Sequence, residues 1–318
     1  MQVRRIAVLA LLSGVLGQAC ELKAGYTTAS LDFPGAIYAN GLGINNVGQV
    51  VGDYLAPGGN VTSGPYFGFL WSGGNYTPID YPGASWTRAF AVNDSGQVVG
   101  DTVVGGSVNG FMLTGSTYSL VNFPGPVTSQ ALGVNNSGQI VGIYTDGTTY
   151  HGFLKTANTY STIDFPGSIL TDAIGINNAG EIVGNYLLPG GTQASGPYYG
   201  FEFSGGVYST IDFPGATNTM MGGINNLDQV FGEYNNGGAQ EHGFVLSGGT
   251  YTSFDFPGAV STNDGKINDA GQIVGSYQDS GGVTHGYVAT PIPEPGVSGT
   301  ILCVGGLPIF IRRRRGQG

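Results

Sequence analysis

Short apolar runs along this chain alternate with turn phrases, and the phrases repeat. "YSTIDFPG" stands at Tyr160–Gly167 and again, letter for letter, at Tyr208–Gly215. Looser copies read "ASLDFPGA" from Ala29, "TPIDYPGA" from Thr77, "SLVNFPGP" from Ser119 and "TSFDFPGA" from Thr252. A second phrase follows each copy, as in "GINNVGQVVGDY" from Gly43 or "GINNAGEIVGNY" from Gly175, and a third completes the unit, as in "HGFLK" from His151. Asn-Asn-x-Gly between two apolar runs is hairpin chemistry, because Asn tolerates the left-handed region and Gly adopts positive φ freely. Each unit therefore predicts four strands. The first ends at "GI" and the second is of the type "EIVGNY". The third holds "HGF", and after a Gly-rich turn the fourth is "YSTID". The Pro of Phe-Pro-Gly ends the fourth, since it lacks a ladder donor and fixes φ.

The six prolines of this turn are Pro34, Pro82, Pro124, Pro166, Pro214 and Pro257, at spacings of 42 to 48 residues. Four strands in about 40–50 residues is the dimension of a β-propeller blade. The array opens in mid-unit with a fourth strand, Tyr26–Gly35, and stops after a third strand, His285–Thr290. The orphan strand then completes the sixth blade and removes the sheet edges an open array would leave. The sequence predicts an all-β, six-bladed propeller over residues 25–290, with the first strand of each unit innermost. A crowded axis calls for small side chains there. Gly43 and Gly41, Ala91 and Ala89, Gly133 and Ala131, and Gly175 and Ala173 meet that need, while Met221, Asp264 and Lys266 break it. Met220–Met221 and the Asp264/Lys266 pair are thus expected to line the channel.

"LAPGGNVTSGPYFGF" from Leu55 matches "LLPGGTQASGPYYGF" from Leu187, 132 residues on, as a duplication of three blades would leave it. The units resemble the HAF repeats of extracellular bacterial proteins, which pair an "IVG" strand with a "HAF" strand; Gly replaces the Ala here. The resemblance covers roughly Tyr26–Thr290 and implies an extracellular repeat protein, with no catalytic residues to carry over.

Composition narrows the picture. Gly is 59 of 318 residues, but 41% hydrophobic and 11% aromatic content supplies enough apolar surface to order the chain. Between the termini only Arg88, Lys155 and Lys266 are basic, against eighteen acidic residues, which excludes nucleic acid as a partner. Cys20 and Cys303 both lie in terminal segments, so the body has no disulfide.

The termini read as addresses. Arg4 and Arg5, the apolar run Ile6–Leu16 and Gly17-Gln18-Ala19 form a secretory signal over residues 1–19. Gly17 stands where a lipobox has Leu, against lipidation of Cys20. Residues 291–318 resemble a PEP-CTERM tail in Pro293-Glu294-Pro295, the apolar stretch Val297–Ile311 and the cluster Arg312, Arg313, Arg314, Arg315. That resemblance implies an exosortase-type processing protease as partner, transient membrane insertion, and then release or attachment at the cell surface. Fifteen apolar residues before four arginines also read as a short stop-transfer segment.

Candidate chemistry is sparse. The motif position held by Asp32, Asp80, Asp164, Asp212 and Asp255 is Asn122 in one copy, which keeps the acceptor and discards the charge. It therefore predicts an acceptor for the Phe-Pro-Gly turn rather than an acid. Calcium at single blades, helped by Asp94, Asp101 or Asp269, suits the ligand chemistry, although no EF-hand-like spacing occurs. His151, His242 and His285 share one repeat position, with Phe67, Asn109 and Tyr199 in other copies, which spreads them around the ring in packing roles. With Arg88 alone in the body besides two lysines, a sialidase-like arginine cluster is excluded. The sequons at Asn60, Asn75, Asn93 and Asn135 carry little weight beside the turn signal. Departures from the repeat mark the candidate ligand surface: Trp86, Arg88, Tyr66, Tyr198 and Tyr199. The expected function is a secreted, non-catalytic surface or matrix protein meeting extracellular polysaccharide or surface proteins. A glycan-binding module is the alternative, and a polysaccharide lyase or hydrolase the second.

Overall fold

The computed structural model describes residues 25–125, 128–194 and 196–292, the side chain of Asp264 excepted, and the backbone at 302–304 and 307–309. The chain divides into two compact units, one of Thr27–Thr290 and one of its terminal segments. In the terminal unit Leu302–Val304 pairs antiparallel with Leu307–Ile309. Pro293, Glu294, Pro295 and Arg312–Arg315 lie outside the described residues, as do residues 1–19, which the sequence reading takes as a secretory signal. No helix among the described residues is long and apolar enough to cross a membrane.

Thr27–Thr290 is a six-bladed β-propeller of four-stranded antiparallel sheets. The first blade runs outward through Tyr38–Ile44, Val50–Leu55, Phe67–Ser72 and Asn75–Ile79. The next four begin at Trp86, Thr128, Leu170 and Asn218. The sixth holds Ser261–Ile267, Ile273–Gln278 and Thr284–Pro291, and its outermost strand is Tyr26–Ser30. The Leu31 amide continues that edge to the Gly286 carbonyl at 2.7 Å. The orphan strand closes the ring as the repeat phase predicts.

Every inner strand carries a bulge, at Gly41/Gly43 in the first blade and at the equivalent place in the others. The bulge revises the small-residue expectation. A Cβ on Gly43 would meet the next blade at 2.7 Å from Phe90 O, so the residue just before the Ile/Val does face the crowded axis. The residue three before does not. Ala89, Ala131 and Ala173 turn instead into the apolar layers between blades, while Met221 packs in one such layer and also lines the axial cavity together with Met220, as expected.

Those layers explain the repeated phrase. The Phe of Phe-Pro-Gly crosses to the next blade and stacks on a second-strand Tyr. Phe33–Tyr54, Phe123–Tyr144, Phe165–Tyr186, Phe213–Tyr234 and Phe256–Tyr277 lie 3.7–3.8 Å apart, nearly coplanar. Such pairs contribute roughly 0.5–1.5 kcal/mol each beyond area burial. Thr102 replaces the Tyr in the second blade. The turn's aromatic amide is held by a hydroxyl from the following inner strand: Tyr81 to Thr87, Phe123 to Ser129, Phe165 to Thr171, Phe213 to Thr219 and Phe256 to Thr262, at 2.9–3.0 Å.

The motif Asp therefore does not serve the turn, a correction to the sequence reading. It binds the third strand of its own blade. Asp164, Asp255 and Asp32 accept from Nδ1 of His151, His242 and His285 at 2.9–3.1 Å. In the second blade both partners change together: Asn122 donates to Asn109 Oδ1 at 2.9 Å and accepts from Gly110 N. The imidazoles also stack on Tyr144, Tyr234 and Tyr277 at 5.1–5.3 Å, so their role here is packing and pairing.

Candidate functional site

The axis differs at its two ends. Where the inner strands finish, the first Asn of each Asn-Asn turn is buried, and its Oδ1 accepts from the amide four residues on, as Asn45 does from Gln49. Its Nδ2 reaches the backbone carbonyl of the same Asn in the next blade. Asn45 donates to Asn93, Asn93 to Asn135 and Asn135 to Asn177, each at 3.0 Å. Asn177 donates to Asn225 at 3.4 Å, Asn225 to Asn268 at 2.9 Å, and Asn268 back to Asn45 at 3.0 Å. A second cycle runs through Asn46, Asp94, Asn136, Asn178, Asn226 and Asp269, each backbone amide donating to the next Oδ1 at 2.8–2.9 Å. Asp94 and Asp269, named above for calcium, serve here as acceptors. Burial opposes the Asp94 charge, but hydrogen bonds from Asn136 and Asn46 outweigh it and hold the carboxyl below its usual range.

Lys266 closes the axis at mid-depth. Its side chain rises from the sixth blade and Nζ donates across the channel to Leu132 O at 3.0 Å and Ile174 O at 2.9 Å. It lines a cavity on either side. Burial lowers its pKa from 10.5 to about 8.

Above Lys266, where the inner strands begin, a cavity of about 360 Å³ opens, a size suited to a mono- or disaccharide. Its walls are where the blades stop resembling one another. One inner-strand column reads Asn40, Arg88, Gln130, Asp172, Met220 and Asn263; the residues opposite on the second strands are Asp53, Asp101, Ile143, Asn185, Glu233 and Ser276. Asn40, Asp53, Asn185 and Glu233 are buried cavity residues that the sequence reading missed. A signal existed: the second-strand position takes five different residues in six copies between a constant Gly and, in most copies, a constant Tyr.

Of the five residues named from sequence, three come together. Arg88 makes a bidentate pair with buried Asp101 (3.1 and 2.7 Å), which also accepts from Gln130. The guanidinium lies 4.8 Å from the Trp86 ring, 5.0 Å from Phe90 and 5.9 Å from Tyr66. Trp86 and Tyr66 thus cradle a cation that is already neutralised. Asp101, the third residue named for calcium, belongs to this pair. Tyr66 and Tyr198 occupy matching positions of the duplicated segment in the first and fourth blades, and their hydroxyls donate to the carbonyls of Val61 and Gln193. Tyr199 stands apart, stacked on Tyr186 at 5.4 Å on the outer side of its blade.

Desolvation pushes the Asp172 carboxyl up from 3.8 to about 7. The folded state then binds more protons than the unfolded one between those values, so this group's stabilising contribution falls as pH rises through the window, by at most about 1.4 kcal/mol per pH unit. Lys266 works oppositely: the unfolded state binds more protons between about 8 and 10.5, and stability climbs there. Urea midpoints across pH are expected to show Asp172→Asn gaining on the parent from pH 4 to 7. Lys266→Met should lose ground to the parent as pH rises above 8. Parallel parent and variant curves would contradict both assignments.

No protein-family model matches the sequence, and no curated protein matches it. Solved structures share the fold. TolB from Acinetobacter baumannii aligns with TM-score 0.52 at 11% identity over 77% of this chain, which spans 64% of that protein. An arginine-to-alanine triple mutant of AofleA from Arthrobotrys oligospora aligns at 0.51 and 12% identity, over 84% of this chain and 90% of that one. The gluconolactonase XC5397 from Xanthomonas campestris aligns at 0.51 and 10%, over 81% and 89%. At these identities the likeness establishes a β-propeller module.

Proposed function

We propose that this chain is an extracellular, non-catalytic binding module that holds a glycan in the axial cavity above Lys266, delivered to the cell surface by its leader and its PEP-CTERM-like tail. One observation carries the reading. The residues that build the ring recur blade after blade with structural tasks, whereas no two blades share the same pair of residues at this inner-strand position and its second-strand partner. Ring closure does not require that variation; recognition of an asymmetric ligand does. Acceptors and aromatic rings around one concave site suit a sugar's hydroxyls and its apolar face.

The test uses the full chain on a glycan array, with reducing-end release assayed in parallel. Retention of a glycan without turnover is the expected result, and Asn185→Leu, on the cavity wall, should weaken it at least about tenfold by removing a buried polar partner. Turnover at an ordinary enzymatic rate, or no retained glycan, would overturn the reading. A hydrolase or lyase has one observation in its favour: burial raises the Asp172 carboxyl to about 7, in the range where a group exchanges a proton at neutral pH as a general acid or base must. Turnover abolished by Asp172→Asn would select that alternative.

A further inference from the structure

Resting on the glycan reading, we infer that the axial cavity recognises chain ends: it takes in the non-reducing terminal residue of a glycan, whose free hydroxyl donates to Asn40 Oδ1, and refuses the same sugar in a chain's interior. Three observations lead there. First, the cavity ends at Lys266. The ammonium crosses the axis from the sixth blade to the carbonyls of Leu132 and Ile174 in the third and fourth, so the space above it and the chamber below it are separate. That chamber holds about 60 Å³ against about 360 Å³ above, room for water but not for a pyranose ring. Second, neighbouring inner strands touch at the same depth. A Cβ on Gly43 would lie 2.7 Å from Phe90 O, and one on Gly175 2.9 Å from Gly223 Cα. A ligand therefore enters and leaves through the mouth where the inner strands begin. In a 1,4-linked chain the two linkage oxygens stand on opposite sides of each ring. An interior residue would have to send both neighbours out through that one mouth, whereas a terminal residue sends out one.

Third, and independently of shape, Asn40 is only 4% exposed and lines this cavity, yet its Oδ1 has no hydrogen-bond partner among the described residues. A buried acceptor without a donor is costly, so one in this place points to a donor brought by a ligand. A chain end carries that donor. The hydroxyl that an interior residue gives up to its linkage is free at the non-reducing end, on the leading side of the residue that enters. At the reducing end the freed hydroxyl is anomeric and exchanges between two configurations, so a fixed acceptor meets only part of that population.

The test is an array, probed with the full chain, on which each sugar appears at the non-reducing end of one immobilised chain and in the interior of another, all tethered through their reducing ends. Chains that end in the recognised sugar are expected to be retained at least about tenfold more strongly than chains that hold it inside. Calorimetric titration of a retained chain and its homologues lengthened at the reducing end should give one protein per chain, with affinity that no longer rises beyond the second residue. Asn40→Leu should weaken that binding at least about fivefold while raising the urea midpoint of the free protein, since it removes an acceptor left for the ligand. Interior sugars retained as strongly as ends, a stoichiometry that grows with chain length, or an Asn40→Leu variant that binds as the parent does would overturn this inference and leave the glycan reading standing. An array on which no glycan is retained would overturn both. The comparison of ends with interiors on the unmodified chain decides the matter even where the variant does not fold.

Discussion

Gly142→Ala is expected to destabilise the propeller by about 4 kcal/mol or more, enough to keep much of the chain from folding. The inner-strand bulge brings the Gln130 carbonyl directly over Gly142. A Cβ there would fall inside the contact shell of that oxygen and lie 2.9 Å from Phe153 Cε1, the centre of the blade's apolar layer. Both neighbours are fixed, one as backbone and one as a fully buried ring. Gly52, Gly100 and Gly184 face the same obstruction from Asn40, Arg88 and Asp172. Gly138→Ala is the matched comparison. It sits at φ 74° in the hairpin turn with open space around it, apart from Gln97 Oε1 at 3.9 Å. Only the conformational penalty of about 1–2 kcal/mol applies there. Urea denaturation of the two variants should separate them by at least about 2 kcal/mol; equal losses would refute the bulge as the reason for this glycine.

Asn135→Ala is the second large effect, expected near 3–4 kcal/mol. The side chain does four things at once. Nδ2 donates to Asn177 O and Gln139 Oε1, and Oδ1 accepts from the amides of Ser137 and Gln139. Truncation leaves buried donors and a buried carbonyl without partners, and it opens one link in the ring joining the third blade to the fourth. Asn135→Asp keeps both amide acceptances but turns a carboxylate oxygen toward the Asn177 carbonyl and the Gln139 oxygen. Its loss should therefore ease as pH falls and the carboxyl protonates. A loss below 1 kcal/mol for Asn135→Ala, or an Asn135→Asp variant indifferent to pH, would show the ring to be incidental.

The fold was legible because each blade repeats its punctuation. Phe-Pro-Gly, Asn-Asn-x-Gly and, in most units, the Gly-bearing turn before the fourth strand mark three strand boundaries per unit, and the orphan fourth strand at Tyr26–Gly35 shows where the ring shuts. The site was legible only where a residue broke the repeat visibly. Arg88, Trp86, Met220, Met221 and Lys266 stood out as bulky or charged among small neighbours. Asn40, Asp53, Asn185 and Glu233 did not, since polar residues between apolar ones look like a solvated strand face. The inner-strand bulge, which no turn residue announces, shifts which positions face the axis. For the same reason the motif Asp was misassigned to the turn: its partner lies thirteen residues back, on the adjacent strand. Tyr199, picked out by its long loop, turned out to belong to the stacked outer layer.

The most direct measurement is a crystal structure of the full chain soaked with a glycan it retains on the array. The account predicts sugar density on the axis above Lys266, with a sugar hydroxyl donating to Asn40 Oδ1. Sugar bound at the outer rim between blades, with the axial cavity holding only water, would contradict it.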